Sequence, residues 1–293
     1  MKQDVSSLLA KKFNSEIITF LTCYDYSFST ILENTTLDMI LVGDSGSMVL
    51  HGNPDTTEAT MSDMLTMAKS VRRGAPSKFI VGDMPKDSYE ISDEIAVTNA
   101  LRFINEAGCD AVKLEGGAIM CDRVRAIRDS GVNVMGHIGL TPQSSANFGG
   151  YRVVGRSESE KLNLKSDFNE LSLAGVFAVL LEAVPPSLTK EITENSKPIV
   201  LGIGAGPDAD GQLLIIHDLL GLYPNFRPKF AKNFIIDVLD EFNKFITNQH
   251  DVVDYGRKTR NDGIHELSRL AVEKYISSCK SKEFPSSEYT YKE

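Results

Sequence analysis

The chain has 293 residues, 42% of them hydrophobic and 24% charged, with a net charge of -9 and a sequence pI near 5.2. These proportions allow a large core in an ordinary soluble protein, and the acidic balance argues against nucleic acid as a main partner, because phosphate backbones need basic patches. No apolar run approaches the ~18 residues of a membrane span, and the opening MKQDVSSLLAKKFNSE lacks the apolar stretch of a secretory signal.

In chain order, a short helix is expected over 6–12, followed by alternating strands and helices. Strands are predicted over 17–22, 39–42, 79–81, 111–114, 132–136, 178–181 and 199–203. They are rich in Val, Ile and Leu without polar alternation, as strands covered on both faces should be. An eighth strand is placed at 226–230. Between them, Thr60 opens a helix over 61–74 with Asp63 as its capping-box acid and Gly74 as its stop. Ser92 opens another, with Asp93 and Glu94 in the first turn and Gly108 closing it. Further helices are read over 119–130, 161–174 and 187–195. Beyond Ile235 the pattern turns to long polar helices, with a loop near 251–263 and an irregular tail, EFPSSEYTYKE. Met61, Met64 and Met67 read as packing on one helix face. Seven or eight strand–helix units without a flexible linker predict one (β/α)8 barrel domain over 1–293, with a divergent helical segment at about 238–293; a doubly wound open sheet is the rival.

The cysteines Cys23, Cys109, Cys121 and Cys279 form no CxxC pair, so zinc and thiol–disulfide chemistry are not indicated, and a reduced, cytoplasmic protein is expected. The informative residues are acids at the ends of the apolar runs: Asp44, Asp83, Glu115 and Glu182. Burying a charge is costly unless something pairs with it. On one rim of a parallel barrel, however, carboxylates from adjacent strands can share a divalent cation, and Asp44 and Asp83 with waters would suit Mg²⁺. The plainer alternative is that each caps a following helix. Lys113 and Glu115 lie two apart on one strand and face one side; they are either an ion pair or a cation for a substrate carboxylate beside a metal-linked acid. Glu182 is a candidate general base, and His137 is a rim histidine that a structural role could equally explain. The spacing in Gly202-Ile-Gly-Ala-Gly206 is not that of a dinucleotide fingerprint; it reads as a tight turn. Residues 148–151, Phe-Gly-Gly-Tyr, read as a loop able to cover a site.

Together these segments resemble the ketopantoate hydroxymethyltransferase family. The matching stretches, in family order, are TCYDYSFS (22–29), MILVGDS (39–45), SVRRGAP (70–76), GDMP (82–85), AGCDAVKLEGG (107–117), GHIGLTPQS (136–144), FGGYRVVGR (148–156), LLEAVP (180–185), GIGAGPDADGQLLIIHDLLG (202–221) and PKFAKNF (228–234). The resemblance implies a (β/α)8 barrel assembled as a homo-oligomer, a decamer. It implies Mg²⁺ held by Asp44 and Asp83, with Glu115 reaching it through water. It implies 3-methyl-2-oxobutanoate bound by the metal with Ser45 and Lys113, Glu182 as the base, and 5,10-methylenetetrahydrofolate as the one-carbon donor. Two departures stand out. Where the family reads Asp-Ser-Leu-Gly-Met, this chain has Asp44-Ser45-Gly46-Ser47-Met48, so Ser47 is expected to strain the loop if positive φ is needed there. Lys86 replaces a phenylalanine and would weaken the metal site if it pointed inward. The competing readings are a phosphoenolpyruvate mutase or isocitrate lyase-like enzyme, although no cysteine-bearing KKCGH-type motif is present, and a non-catalytic relative.

Overall fold

Eight runs of apolar sequence become eight parallel strands. They are β1 (Ile18–Thr22), β2 (Met39–Val42), β3 (Phe79–Asp83), β4 (Ala111–Glu115), β5 (Asn133–Gly139), β6 (Ala178–Glu182), β7 (Ile199–Ile203) and β8 (Gly211–Leu214). Each pairs with the next, and β8 returns to β1 with Ile18 opposite Gly211, closing the barrel. The computed structural model describes residues 2–144, 152–225, 227–250 and 263–293. Every residue of β1, β2, β3, β4, β7 and β8 is buried. The strands therefore show no polar alternation, because helices cover the outer face and packed side chains fill the inner one.

The helices are α1 (Val5–Phe13), α2 (Tyr26–Glu33), α3 (Gly46–Val49), α4 (Met61–Gly74), α5 (Asp93–Asn105), α6 (Cys121–Asp129), α7 (Glu158–Ala174), α8 (Pro186–Glu194), α9 (Ile216–Leu220), α10 (Leu239–His250) and α11 (Gly263–Lys280). Local chemistry starts them. Thr60 and Asp63 form the expected capping box of α4. Ser157 and Glu160 form another at α7, which begins three residues earlier than the sequence pattern indicated. Gly74 is the last helical residue of α4 rather than its stop. It is glycine for space, since a Cβ there would lie 2.0 Å from Ser29 Oγ on α2.

At the N-terminal end of the barrel, acids are matched by bases. Lys11 reaches Asp38 at 2.5 Å, Lys12 reaches Asp210 at 2.6 Å, and Arg72 reaches Asp110 at 2.5 Å. These acids do structural work: Asp38 also accepts from the backbone of Thr19, and Asp210 from that of Val200.

The eighth strand is not at 226–230 but at Gly211–Leu214. Pro228 has no N–H for a ladder, and within that stretch the described residues form a loop. Gly211 suits β8 because a Cβ there would sit 2.4 Å from the carbonyl oxygen of Ile18. Beyond Ile235, α11 is more than a polar helix: Leu270, Val272, Tyr275 and Ile276 are buried in the core. The loop read over 148–151 lies outside the described residues, as does that near 251–263 except Gly263, which opens α11.

Candidate active site

At the C-terminal end of the barrel the acids are not matched one for one. Asp44 stands two residues past the end of β2 and Asp83 ends β3, and parallel pairing brings them together: the backbone N–H of Asp44 donates to Asp83 Oδ2 at 3.2 Å. Asp83 is paired in register with Lys113 on β4, whose Nζ donates to Asp83 Oδ1 at 2.5 Å. Two residues along the same strand face, Glu115 Oε1 is 3.9 Å from Lys113 Nζ. Glu115 in turn is in register with His137 on β5, and Gly139 with Glu182 on β6. The His137 ring lies between two carboxylates, Nδ1 3.2 Å from Glu115 Oε1 and Nε2 3.3 Å from Glu182 Oε2. Neither contact is aligned well enough to satisfy the ring as a hydrogen bond, so both nitrogens are close to charge but unsaturated.

All these side chains, with Ser45, line one cavity of about 160 Å³. Asp83 and Lys113 are only 1% and 2% exposed, so water contributes little to stabilising their charges. Burial raises the carboxyl of Asp44, pushes Asp83 up to about 8 and Glu115 up to about 7, and raises Glu182. Lys113 pulls each of them the other way without winning. Burial alone would lower Lys113, but Asp83, Glu115 and Asp44 outweigh it and hold the ammonium above its ordinary range. Burial, followed by the Lys113 charge, lowers His137, which keeps it neutral.

Among the described residues, Lys113 is the one lysine or arginine lining a cavity that holds Asp44, Asp83, Glu115, Glu182 and Asp218. That surplus of buried oxygen charge fits a hard divalent cation. Among the described residues no three His, Cys, Asp or Glu side chains form a ready-made metal cage. Two carboxylates with substrate and water is the mode Mg²⁺ commonly takes, so the donor set fits it.

Asp44, Ser45, Asp83, Lys113, Glu115, His137 and Glu182, the candidate site residues of the sequence, therefore reach the same cavity. Several that matter were not singled out. Gln143 knits the rim together: its Nε2 donates to Asp44 Oδ2 at 2.8 Å and to the Met84 carbonyl at 3.1 Å, its backbone N–H donates to Glu115 Oε2 at 3.0 Å, and its Oε1 accepts from Tyr89 at 2.6 Å. The Tyr24 hydroxyl lies 2.9 Å from Ser45 Oγ. A rim position just past β5 was the available signal for Gln143; nothing local marked Tyr24. Ala183, immediately after Glu182, has φ of 50°, a left-handed conformation costly for a residue with a side chain. It is held by a hydrogen bond from its N–H to the Ile203 carbonyl.

The backbone accommodates Ser47, and Lys86 lies outside the cavity although its charge acts on Glu115. Ser47 lies inside α3 without positive φ and accepts a hydrogen bond from Asn53 at 2.9 Å, so the expected strain is absent. The glycine has moved to where space is needed: a Cβ on Gly46 would meet Met67 Sδ at 2.7 Å and Tyr24 at 2.9 Å. Lys86 is partly exposed and does not line the cavity. Gly204 and Gly206 have φ of 64° and 82° and turn the chain against Phe230 and Pro186, as a tight turn rather than a nucleotide cradle.

By shape, the chain is similar to 2,3-dimethylmalate lyase, a PEP mutase/isocitrate lyase superfamily member, with a TM-score of 0.59 at 14% identity over 96% of this chain and 99% of that one. It is also similar to phosphonopyruvate hydrolase in complex with oxalate and Mg²⁺, with a TM-score of 0.59 at 12% identity over 95% and 98%. At such identities the likeness establishes the barrel alone. By sequence, the 3-methyl-2-oxobutanoate hydroxymethyltransferase of Desulfotalea psychrophila is 40% identical over 99% of this chain and 95% of the relative. That of Moorella thermoacetica is 43% identical over 97% and 96%. The family model for ketopantoate hydroxymethyltransferase matches residues 2–257, and with relatives this similar along nearly their whole lengths, the chain belongs to that family of enzymes.

Proposed function

We propose that this chain transfers a hydroxymethyl group from 5,10-methylenetetrahydrofolate to C3 of 3-methyl-2-oxobutanoate, with Mg²⁺, giving ketopantoate. The observation that carries this reading is the placement of Glu182. In a closed barrel of eight strands β6 stands opposite β2, so Glu182 faces Asp44 across one cavity, with Lys113 and Asp83 beside Asp44. A 2-oxo acid held at its carboxylate and keto oxygens on the β2–β4 side directs C3 toward Glu182.

Asp44 and Asp83 would hold Mg²⁺, and Glu115 would reach it through water. When bound, the ion would draw electron density from the keto oxygen and make the adjacent C3–H more acidic. Lys113 supplies a fixed positive charge for the substrate carboxylate, and Ser45, oriented by Tyr24, a hydroxyl beside it. Glu182 takes the C3 proton, for which burial suits it by raising its affinity for protons. The neutral ring of His137 stands between the carboxylates of Glu182 and Glu115 and keeps them apart. The carbon nucleophile so formed accepts the one-carbon unit of the folate. C3 bonds the methylene carbon, the bond from that carbon to the folate nitrogen breaks, and water supplies the hydroxyl, so one water is consumed and tetrahydrofolate leaves.

The reading extends to a decameric homo-oligomer in the cytoplasm. Both come from the family resemblance; among the described residues no helix is long and apolar enough to cross a membrane. Incubation with 3-methyl-2-oxobutanoate and 5,10-methylenetetrahydrofolate tests the chemistry. Mass spectrometry should detect ketopantoate only when both the folate and Mg²⁺ are present; formation without the folate, or none with every component, contradicts it. Light scattering should give ten times the chain mass, and a monomer contradicts the assembly.

A further inference from the structure

The cavity is divided. Most of its charged groups come from β2 to β6, with Asp218 of α9 the exception, whereas β6 to β8 and the loop beyond contribute Leu180, Ile203, Leu213 and Phe230. The apolar half is completed from far along the chain, by Tyr291. The Tyr291 ring is partly buried and meets Phe230 edge to face, with centroids 6.1 Å apart. Burial, and after it the Glu182 charge, raises the proton affinity of its hydroxyl.

Residues 286–293 are not draped there by one contact. Lys229 Nζ donates to the Thr290 carbonyl, and Arg156 Nη2 to the Lys292 carbonyl at 3.3 Å. The backbone N–H and hydroxyl of Ser187 donate to the Glu293 carboxylate at 3.2 and 2.5 Å. Three separate segments, before α7, in α8 and after α9, therefore hold this stretch across the rim. Such anchoring fixes an aromatic ring at the wall of the cavity, and a fixed ring discriminates by size better than a mobile one.

We propose that Tyr291 is a specificity-determining residue that closes the apolar half of the cavity over the branched alkyl end of the 2-oxo acid and limits how large that end can be. This rests on the functional reading above. Its hydroxyl is not required; the ring is.

The chain contains no tryptophan, so Tyr291→Trp installs a lone indole at the wall. With Mg²⁺ present, titration of 3-methyl-2-oxobutanoate should change its emission with a midpoint matching the concentration that half-saturates C3 deuterium exchange. Tyr291→Ala should lower kcat/KM for that exchange by roughly tenfold, the scale of a lost apolar contact. It should lose less with 3-methyl-2-oxopentanoate, one methylene larger, and Tyr291→Phe should discriminate as the wild type does. Unchanged emission, or the same factor lost on both acids, overturns the proposal. If the wild type exchanges neither acid, the functional reading itself fails and takes this one with it. If the wild type exchanges and the Ala variant discriminates normally, only the role of Tyr291 fails.

Discussion

Glu182 must be ionised to take a proton, and its burial at the end of β6 holds its proton affinity above that of an ordinary glutamate. Exchange at C3 should therefore be lost as pH falls, with its half-point above the ordinary glutamate value of 4.5. A pH–rate profile of deuterium exchange checks this, and an acid limb centred at or below 4.5 contradicts it. At this scale the sequence was informative wherever a charged residue terminated an apolar run, because such a residue has no packing reason to be there. Asp44, Asp83, Glu115 and Glu182 were legible on that ground. Gln143 and Tyr24 were not, since each is a common residue whose importance lies in partners distant in sequence: Asp44 is 99 positions from Gln143. The strain expected at Ser47 also needed coordinates to dismiss, because only the helix at α3 shows that Gly46, not residue 47, needed the room.

At the scale of elements, the seam between β1 and β8 is the place where the barrel closes. Tyr275 of α11 bolts it from outside, its hydroxyl directed at the carbonyls of Gln212 at 2.6 Å and Phe20 at 3.1 Å. Tyr275 is fully buried, so removing the hydroxyl leaves carbonyl capacity unmet. Tyr275→Phe should cost about 1–3 kcal/mol in chemical denaturation; an unchanged midpoint would show that the bolt carries no load. The β/α alternation made the first seven strands readable, because parallel strands buried on both faces have a distinctive composition. The eighth was missed for the converse reason. Gly211-Gln-Leu-Leu214 is four residues long, holds a glutamine and follows a turn, so it carries no strand signature; pairing with β1 and β7 makes it one. The same limit hid the last residues of the chain, whose position over the cavity depends on anchors from three distant segments.

For the whole molecule, the two ends of the barrel use acids differently. At the N-terminal end each is neutralised in place, while at the C-terminal end the surplus is left for something to bind. This makes stability depend on pH and on metal. Burial raises the folded proton affinities of Asp83 and Glu115 to about 8 and about 7, above the ordinary carboxylate values of 3.8 and 4.5. Their contribution is therefore fully present below those ordinary values and is lost as pH rises through about 7 to 8. The metal-free protein should unfold at a lower temperature at pH ~8.5 than at pH ~6.5 on account of these groups, and Mg²⁺ should protect more at the higher pH, where the carboxylates are free to bind it. At a hundredfold excess over its dissociation constant the ion should add about 2.7 kcal/mol, or several degrees in a thermal scan; equal protection at both pH values contradicts this. The most direct measurement is proton–deuterium exchange at C3 of 3-methyl-2-oxobutanoate, followed by NMR in D₂O without any folate. With Mg²⁺ the wild-type protein should exchange the C3 proton, whereas Glu182→Gln should bind the ketoacid but leave it unlabelled. Exchange at the wild-type rate in Glu182→Gln would contradict the account.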